Sequence, residues 1–297
     1  MQTVLITGGS GFVGRHLTAL LQSQGYTVHW LGRKTDPESK IKQYAWDYKQ
    51  GKIDPEAIRS ADVIIHLAGA SINGKKWNEP YKNEIYESRV KSTSFLFEKI
   101  KEIPNNIKLF TCSSATGFYG YTPSEKIFTE TDPPGTDFLS KTCADWEKAA
   151  GRFREHGIRT CIVRSGIAFS ENSEAFKKII LPIKLGFGAP VGSGAQFVPW
   201  IHTEDLCAIY AKTINDAAME GIYNAVAPEF LTNKEMTVIM AKYYRKPLWL
   251  PNIPGFALKL AFGEFSDSLL FGNRISAQKI IGTGFKFKYN NLKDFLQ

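Results

Sequence analysis

The sequence predicts an α/β fold, in which a doubly wound parallel sheet is followed by a small, mainly helical C-terminal subdomain. Three observations support this fold class. Short β-branched runs alternate with segments of helical period through the first half of the chain. A glycine-rich segment, residues 8–14, separates the first apolar run from the first helical segment. After Arg164 this alternation ends, and a Gly- and Pro-rich stretch leads into mainly helical patterns.

The predicted strands are continuous apolar runs, as expected for strands that are buried on both faces of a sheet. They cover residues 4–7, 26–31, 62–67, 108–112, 159–163 and 221–226. The predicted helices between them cover residues 14–24, 79–103 and 141–156. Because these helices separate successive strands, the pattern indicates repeated βαβ units around a parallel sheet.

The second part of the chain is predicted to be organised differently. Residues 165–200 form a loop-rich excursion from the sheet, which we expect to contribute to a substrate pocket. Helices are predicted at residues 233–244, 255–262 and 276–281. We therefore divide the chain into a first domain, residues 1–227, and a C-terminal substrate or partner subdomain, residues 228–297.

Composition excludes several classes of protein. The chain has 297 residues, of which 43% are hydrophobic and 22% charged, so it is expected to bury a core rather than remain disordered. No apolar run approaches the roughly 20 residues that cross a bilayer. The four cysteines are widely spaced and form no CxxC pair, and no two histidines have metal-ligand spacing, so we expect no metal site. Reduced thiols and a cytoplasmic location are predicted.

The net charge of +8 raises the question of a nucleic-acid partner. The basic residues are scattered, and no run of five or more Lys or Arg occurs, which argues against such a partner. Residues 228–297 contain ten basic and five acidic residues. An anionic small ligand explains this surplus as readily as RNA does.

The strongest local motif is the glycine-rich segment Gly8, Gly9, Ser10, Gly11, Phe12, Val13 and Gly14. It satisfies both GxxGxxG and GxGxxG, and it lies directly between a predicted strand and a predicted helix, which is the context of a dinucleotide fingerprint. Glycines there permit a tight turn and a close approach of a diphosphate to backbone amides at a helix N-terminus. The motif therefore predicts a Rossmann-type nucleotide-binding domain.

The end of the second predicted strand indicates which dinucleotide is bound. An NAD enzyme places Asp or Glu there to bind the ribose 2′-hydroxyl, whereas this chain has Gly32, Arg33 and Lys34. A guanidinium can pair with a 2′-phosphate in bidentate fashion, so the sequence favours NADP(H). The alternative is that Asp36 turns back to the ribose and the two basic residues are ordinary surface.

Further motifs carry a resemblance to a known family. DVIIHLAG (62–69), CSSATGFYG (112–120), NGKKW (73–77), ESRV (87–90), VRSGIAFS (163–170), GSGAQFVPWIHTEDL (192–206) and ISAQKIIGTGFKF (275–287) follow the glycine motif along the chain. Together they resemble an atypical extended short-chain dehydrogenase/reductase of the epimerase family branch, with a C-terminal domain of unknown function. The resemblance spans nearly the whole chain.

This resemblance implies further site residues. Leu67, Ala68 and Gly69 would lie along the adenosine and ribose side of the cofactor, and Ser113 and Ser114 near the nicotinamide. Arg164 would be a cofactor or substrate contact at the same sheet edge. Arg89 stands where better-known epimerases carry an Asn beside the cofactor, and its charge in a cleft would require an anionic partner. For both arginines the alternative is a position at a surface helix or strand end.

One departure from the family pattern concerns catalysis. The superfamily uses Tyr at i and Lys at i+4 on one helix face, so that the phenol can exchange a proton with the substrate. Alignment on Glu147 places these positions at Leu139 and Cys143, which cannot do this. Ser114, the third member, is present and is our one candidate catalytic residue. Tyr119 and Tyr121 could supply a phenol from a loop, although packing beneath the cofactor explains them more simply.

Two functions of different class remain open. The first is an NADP(H)-binding epimerase- or reductase-like protein that acts on an unidentified small molecule. The second is a catalytically silent NADP(H)-sensing protein that engages a macromolecular partner, which the missing Tyr-Lys pair favours. RNA binding is a third and weaker interpretation, and a homodimer is left open.

Overall fold

Most strands form at the short apolar runs of the sequence, and the main sheet has eight strands where six were predicted. A computed structural model describes residues 2–121 and 125–297. The strands in these residues are β1 (Thr3–Thr7), β2 (Thr27–Gly32), β3 (Lys42–Asp47), β4 (Lys52–Ile53), β5 (Val63–His66), β6 (Leu109–Ala115), β7 (Ile127–Phe128), β8 (Arg159–Ser165), β9 (Ile167–Phe169), β10 (Trp200–His202), β11 (Gly221–Ala225) and β12 (Arg274–Ile275).

The helices surround this sheet and form most of the C-terminal part. They are α1 (Phe12–Ser23), α2 (Pro55–Arg59), α3 (Glu79–Glu87), α4 (Val90–Glu102), α5 (Phe138–Glu155), α6 (Glu174–Lys184), α7 (Thr203–Asn215), α8 (Asn233–Tyr243), α9 (Gly255–Phe262), α10 (Asp267–Leu270), α11 (Gln278–Gly282) and α12 (Leu292–Leu296). Among the residues described, no helix is long and apolar enough to cross a membrane.

The main sheet has eight strands in the order β11-β8-β6-β5-β1-β2-β3-β4. All neighbours are parallel except β3 and β4, which are antiparallel. The chain runs outward from β1 in one direction through β2 and in the other through β5, so the order reverses between β1 and β5. In open α/β sheets this switch point is where ligands bind, outside the carboxyl ends of the strands. The predicted doubly wound fold is confirmed.

Alternating side chains of the central strands bury two separate cores. Val4 and Ile6 point to one face of the sheet, where they pack with residues of α1 and α7, such as Leu17 and Tyr210. Leu5 points to the opposite face, into the core that includes residues of α4 and α5. The sheet is therefore covered on both sides, which explains why its strands read as continuous apolar runs.

Several elements depart from the sequence prediction, among them a divided helix, an unpredicted helix in the excursion and an unpredicted strand. The helix predicted over residues 79–103 is two helices, α3 and α4, which are separated at Ser88 and Arg89. The excursion over residues 165–200 contains a helix, α6, which its Gly and Pro content concealed and which carries Pro182 near its end. The sequence analysis does not predict β3, since its run KQYAWD has only three apolar residues between polar ones and forms no continuous apolar segment.

A third core joins the excursion to the C-terminal residues. Phe169, Phe176 and Trp200 pack in one cluster with Met240 and Leu296. Conversely, residues 275–287 of the C-terminal part pack into the core that contains Val4 and Ile6, to which they contribute Ile275, Ile280 and Phe287. The two predicted domains thus share residues across the predicted boundary at 227, which itself stays a prediction.

Candidate functional site

The glycine-rich segment forms a tight turn between β1 and α1. Gly8 has φ +69°, which favours glycine, and its carbonyl oxygen accepts a hydrogen bond from the Gly11 amide at 2.9 Å. Gly14 lies so close to this turn that a Cβ on it would stand 2.5 Å from the Gly8 oxygen. The glycines thus bring the helix against the strand and leave the backbone of the loop accessible.

The N-terminus of α1 is free to accept an anion. Gly11 is its N-cap and supplies no side-chain acceptor, and the first turn, which begins with Phe12 and Val13, contains no acidic residue. The guanidinium of Arg15 folds back onto the Ser10 carbonyl, which adds a positive charge to the loop. Unpaired amides, the helix dipole and this charge together form a cradle that suits a diphosphate.

The segment after β5 lies directly against this loop. The amides of Leu67 and Ala68 both donate to the Thr7 hydroxyl at 3.1 Å. A Cβ on Gly8 would stand 3.1 Å from the Ala68 nitrogen. The glycine loop and residues 67–69 were predicted from separate motifs, and the structure brings them together at the switch point between β1 and β5.

His66 supports this contact from beneath. Its Nδ1 lies 2.7 Å from the Thr7 hydroxyl, which already accepts two amides and therefore donates its proton to the imidazole. Burial lowers the pKa of His66 to about 3, so the ring stays neutral and keeps Nδ1 as an acceptor. No sequence motif assigns this histidine a role, and its contact with Thr7 is visible only in the fold.

At the end of β2 the two predicted basic residues are exposed and available. Arg33 and Lys34 follow the half-buried Gly32, and neither has a hydrogen bond or an ion pair within the described part of the chain. The carboxylate of Asp36 accepts from the Glu38 amide at 3.0 Å within its own turn. The alternative in which Asp36 turns back to the ribose is therefore not the arrangement observed.

Arg89 lies at the junction of α3 and α4, on the wall of the same cleft. Its guanidinium is so close to Gly69 that a Cβ there would stand 3.1 Å from Cζ. It donates to the Ile85 carbonyl at 3.1 Å and lies 5.4 Å from the centre of the Trp146 ring. It is half-buried, and it has no ion-pair partner in residues 2–121 and 125–297. Arg89 thus lies at a helix end, as in the alternative that we considered, but its side chain is half-buried rather than fully exposed.

Arg164 requires a correction, because it lies inside the protein. It is 1% exposed and forms a bidentate pair with Glu147, through Nε at 2.8 Å and Nη2 at 2.7 Å. Its Nη1 donates to the Tyr119 hydroxyl at 3.0 Å. With its donors used in this way, Arg164 is available neither to a cofactor nor to a substrate, and it is not a surface strand end.

Ser114 is held by the same carboxylate. Its hydroxyl donates to Glu147 at 2.6 Å, and the side chain is 2% exposed. The proton that we expected Ser114 to bring to a substrate is thus committed to Glu147, and we withdraw the proton-donor role. Ser113 is half-buried on the opposite face of β6.

The positions of the missing catalytic pair on α5 are apolar or uncharged. Leu139 packs in a small cluster with Tyr81 and Ile85, and burial raises the pKa of the Cys143 thiol to about 12. Tyr119 is buried and donates to Asn224 at 2.6 Å, so it cannot act as the donor either. Tyr121 lies half-buried at the edge of the Leu139 cluster, where burial raises its pKa.

The fold and this cleft define a class of protein: a doubly wound α/β protein with a dinucleotide-type glycine loop at its switch point. Comparison with known proteins narrows the class. The model of the NAD dependent epimerase/dehydratase family matches residues 4–225, and that of a domain of unknown function (DUF1731) matches residues 253–297. The chain belongs to the NAD dependent epimerase/dehydratase family, as the resemblance of its motifs indicated.

Individual relatives cover the whole chain. The epimerase family protein YfhF of Bacillus subtilis is 37% identical over 295 residues, which are 98% of this chain and 95% of that protein. The crystal structure of human epimerase family protein SDR39U1 with NADPH has a TM-score of 0.90 at 30% identity and covers 99% of this chain and 98% of its own. A nucleoside-diphosphate sugar epimerase of Corynebacterium glutamicum is 32% identical with a TM-score of 0.79, covering 98% of this chain and 56% of its own.

Proposed function

We propose that this protein binds NADP(H) in the cleft between β1 and β5 and transfers hydride between the cofactor and an unidentified small molecule. The observation that carries the proposal is the uncapped, acid-free start of α1 behind the Gly8 turn. Two basic residues, Arg33 after β2 and Arg89 before α4, have no ion-pair partner among the described residues. The similar human protein, whose crystal structure is described with NADPH, supports the choice of cofactor.

The residues of the cleft fit such a cofactor along its length. The amides of residues 8–14 would hold the diphosphate. Arg33, with Lys34 beside it, would pair with the 2′-phosphate that distinguishes NADP(H) from NAD(H). Residues 67–69 would line the ribose, Arg89 would lie beside the cofactor next to Gly69, and Ser113 would lie near the nicotinamide. When bound, the cofactor supplies or accepts a hydride.

The proton that accompanies the hydride must come from an unusual source. Leu139 and Cys143 occupy the Tyr and Lys positions, and the hydroxyl of Ser114 is bound to Glu147. Water or a group of the substrate itself is then the simplest proton source. The same observations favour a second function, in which the protein binds NADP(H) without catalysing a reaction. Binding of the nucleotide would then regulate its interaction with a macromolecular partner.

The cellular setting is also a proposal. The four cysteines are free thiols and all are buried, which is consistent with a reducing compartment such as the cytoplasm. The partner proposed for the first function is a small molecule, and a homodimer remains compatible with it.

Titration calorimetry of wild type and Arg33→Ala with NADPH and NADH tests the cofactor assignment. We expect the NADPH affinity of the variant to fall roughly tenfold or more, because a charge-assisted contact to the 2′-phosphate is lost. The NADH affinity should change little. Arg59→Ala, which removes an exposed arginine of α2, is the matched control and should resemble wild type.

Two results would refute this assignment. If neither nucleotide binds wild type, the glycine loop is not a functional dinucleotide site. If Arg33→Ala weakens NADPH and NADH equally, Arg33 does not read the 2′-phosphate. Consumption of NADPH with a panel of carbonyl substrates then separates the enzyme from the silent binding protein.

A further inference from the structure

Helix α6 exposes apolar side chains on the side that faces away from the core. Phe176, Ile180 and Ile183 are buried in the third core. Leu181 and Leu185, one turn apart, are 56% and 63% exposed. A helix at a protein surface normally turns polar side chains to water, whereas α6 presents two leucines there with lysines around them. The exposed lysines of α6 are Lys177, Lys178 and Lys184.

Residues that follow α6 and α8 extend this surface. Phe187, two residues beyond Leu185, is 59% exposed. Trp249, which is 64% exposed, donates its indole nitrogen to the Gly186 carbonyl at 3.0 Å. The ammonium of Lys184 lies 4.7 Å from the centre of the Tyr244 ring. These contacts join the end of α6 to the segment after α8 in one surface. We call it the α6 face, and its exposed apolar residues are Leu181, Leu185, Phe187 and Trp249.

The charge around the α6 face is positive. Residues 175–187 and 239–250 contain six basic residues and no Asp or Glu. The acids nearest in sequence, Glu171 and Glu174, lie at the other end of α6, and Glu174 pairs with Lys178 at 2.6 Å. The other basic residues have no ion-pair partner among the described residues; they are Lys177, Lys184, Lys242, Arg245 and Lys246.

These features fit a surface of anionic lipids better than they fit a protein partner. A second copy of this chain would bring like charges together across a symmetric contact. A helix of a partner protein requires a groove with apolar walls, whereas the four apolar side chains are between 56% and 64% exposed. Five of the six basic residues are lysines. Lysine is a point charge that is attracted to lipid headgroups without fixed geometry, whereas arginine is better suited to bidentate pairing with a carboxylate.

We propose that the α6 face docks the protein on the surface of a membrane that contains anionic lipids. Its apolar side chains enter the headgroup layer, and the surrounding lysines face the lipid phosphates. Docking of this kind requires no segment that crosses the bilayer, and no described helix is of that kind. The inference goes beyond the proposed function and does not depend on a bound cofactor.

Cosedimentation of the full chain with lipid vesicles tests the inference. We expect wild type to sediment with vesicles of equal parts phosphatidylcholine and phosphatidylglycerol, and much less with vesicles of phosphatidylcholine alone. Removal of two charges in Lys177→Gln with Lys184→Gln should weaken binding to the anionic vesicles by about twentyfold. Leu185→Ser with Phe187→Ser should weaken it by about tenfold or more, because less apolar surface is buried.

Matched controls lie elsewhere on the surface. Lys52 and Lys108 are exposed lysines without an ion-pair partner among the described residues, and Ile127 is an exposed apolar residue of β7. Lys52→Gln with Lys108→Gln, and separately Ile127→Ser, should bind the vesicles as wild type does. Thermal unfolding confirms that each variant is folded.

Fluorescence locates the contact. Trp249 is the most exposed of the six tryptophans, so anionic vesicles should shift the emission of wild type to shorter wavelength. Trp249→Phe should still bind, and its emission should not shift.

Several results would contradict the inference. It is wrong if wild type does not sediment with the anionic vesicles, or if the lysine controls weaken binding as much as the α6 variants do. If light scattering shows a dimer that Leu185→Ser with Phe187→Ser dissociates, and vesicles are not bound, the face joins two copies. Binding to soluble polyglutamate as strong as binding to the vesicles would identify an acidic chain as the partner. NADPH titration should give the same affinity for wild type and the α6 variants, so failure of this inference leaves the cofactor assignment unaffected.

Discussion

Arg164 and Arg89 both lie near the carboxyl edge of the sheet, and their surroundings differ in one respect. Arg164 is 1% exposed and has a bidentate carboxylate partner in Glu147. Arg89 is half-buried, and among the described residues its guanidinium has one hydrogen-bond partner, the Ile85 carbonyl. The sequence places the two on an equal footing, as arginines at strand or helix ends near a cofactor.

The comparison shows that the presence of an ion-pair partner, rather than the position in the sheet, distinguishes an arginine with a structural role from one that is available to a ligand. Arg164 and Ser114 both donate hydrogen bonds to the carboxylate of Glu147, so these three polar groups satisfy one another inside the protein. Arg89 and Arg33, by contrast, have no ion-pair partner among the described residues. A charge that the fold already neutralises has little to offer a ligand, whereas an unpaired charge in a cleft is stabilised when an anion arrives.

The largest expected effect comes from breaking the satisfied region. Glu147→Ala leaves the buried guanidinium of Arg164 without a carboxylate, which should lower the free energy of unfolding by about 3–5 kcal/mol. Urea denaturation of the variant and wild type measures this loss. If the comparison is right, the protein that remains folded should still bind NADPH, because the Glu147 carboxylate is buried and bound by Arg164 and Ser114.

A surface pair provides the control for this prediction. Arg154 and Glu220 form an ion pair at 2.6 Å, but Arg154 is 68% exposed. Arg154→Ala should therefore cost no more than about 1 kcal/mol. A loss for Glu147→Ala as small as that for Arg154→Ala would show that the buried network contributes little, and the distinction between the two arginines would weaken.

A second effect concerns acid. The pKa of His66 is lowered by burial from about 6.5 to about 3, so below pH 6.5 the unfolded chain binds a proton that the folded protein does not. Its contribution to stability is present above pH 6.5 and is lost as the pH falls. Between pH 7 and pH 5 the unfolding free energy should drop by about 2 kcal/mol through His66. Urea denaturation across this range measures the slope.

His66→Asn removes the titrating group and should flatten this slope, whatever it does to stability at pH 7. His202 contributes with the same sign, because burial lowers its pKa to about 4. The variant His202→Asn is therefore measured separately. An unchanged slope in His66→Asn would mean that the imidazole is not held neutral beneath the cleft, and Thr7 would then lack the acceptor that we assign to it.

Much of the fold was predictable because its signals are local. The Gly8 turn, β1 and the start of α1 follow one another within a few residues, and each is specified by its own amino acids. Arg33 could be predicted as a cofactor residue because it follows the second strand, whereas residues 67–69 were predicted from the family resemblance.

The role of Ser114 could not be predicted, since its partner Glu147 lies 33 residues away and only the packing of α5 on β6 joins them. The same packing hides the guanidinium of Arg164. The break between α3 and α4 was missed because the helical period continues through Ser88 and Arg89. That break places Arg89 in the cleft.

The smallest expected effect comes from comparing two Gly→Ala substitutions in helices, one far from the glycine-rich turn and one packed against it. Gly151 lies inside α5 with no atom within 4 Å of an added Cβ, so Gly151→Ala should stabilise the protein by about 0.5–1 kcal/mol through helix propensity. Gly14→Ala, also in a helix, places its Cβ 2.5 Å from the Gly8 oxygen, and should destabilise the protein and weaken NADPH binding. Thermal unfolding and calorimetry measure both. If Gly14→Ala is as harmless as Gly151→Ala, the loop is looser than its contacts indicate, and a close approach of α1 to the turn is not what prepares the site for a diphosphate.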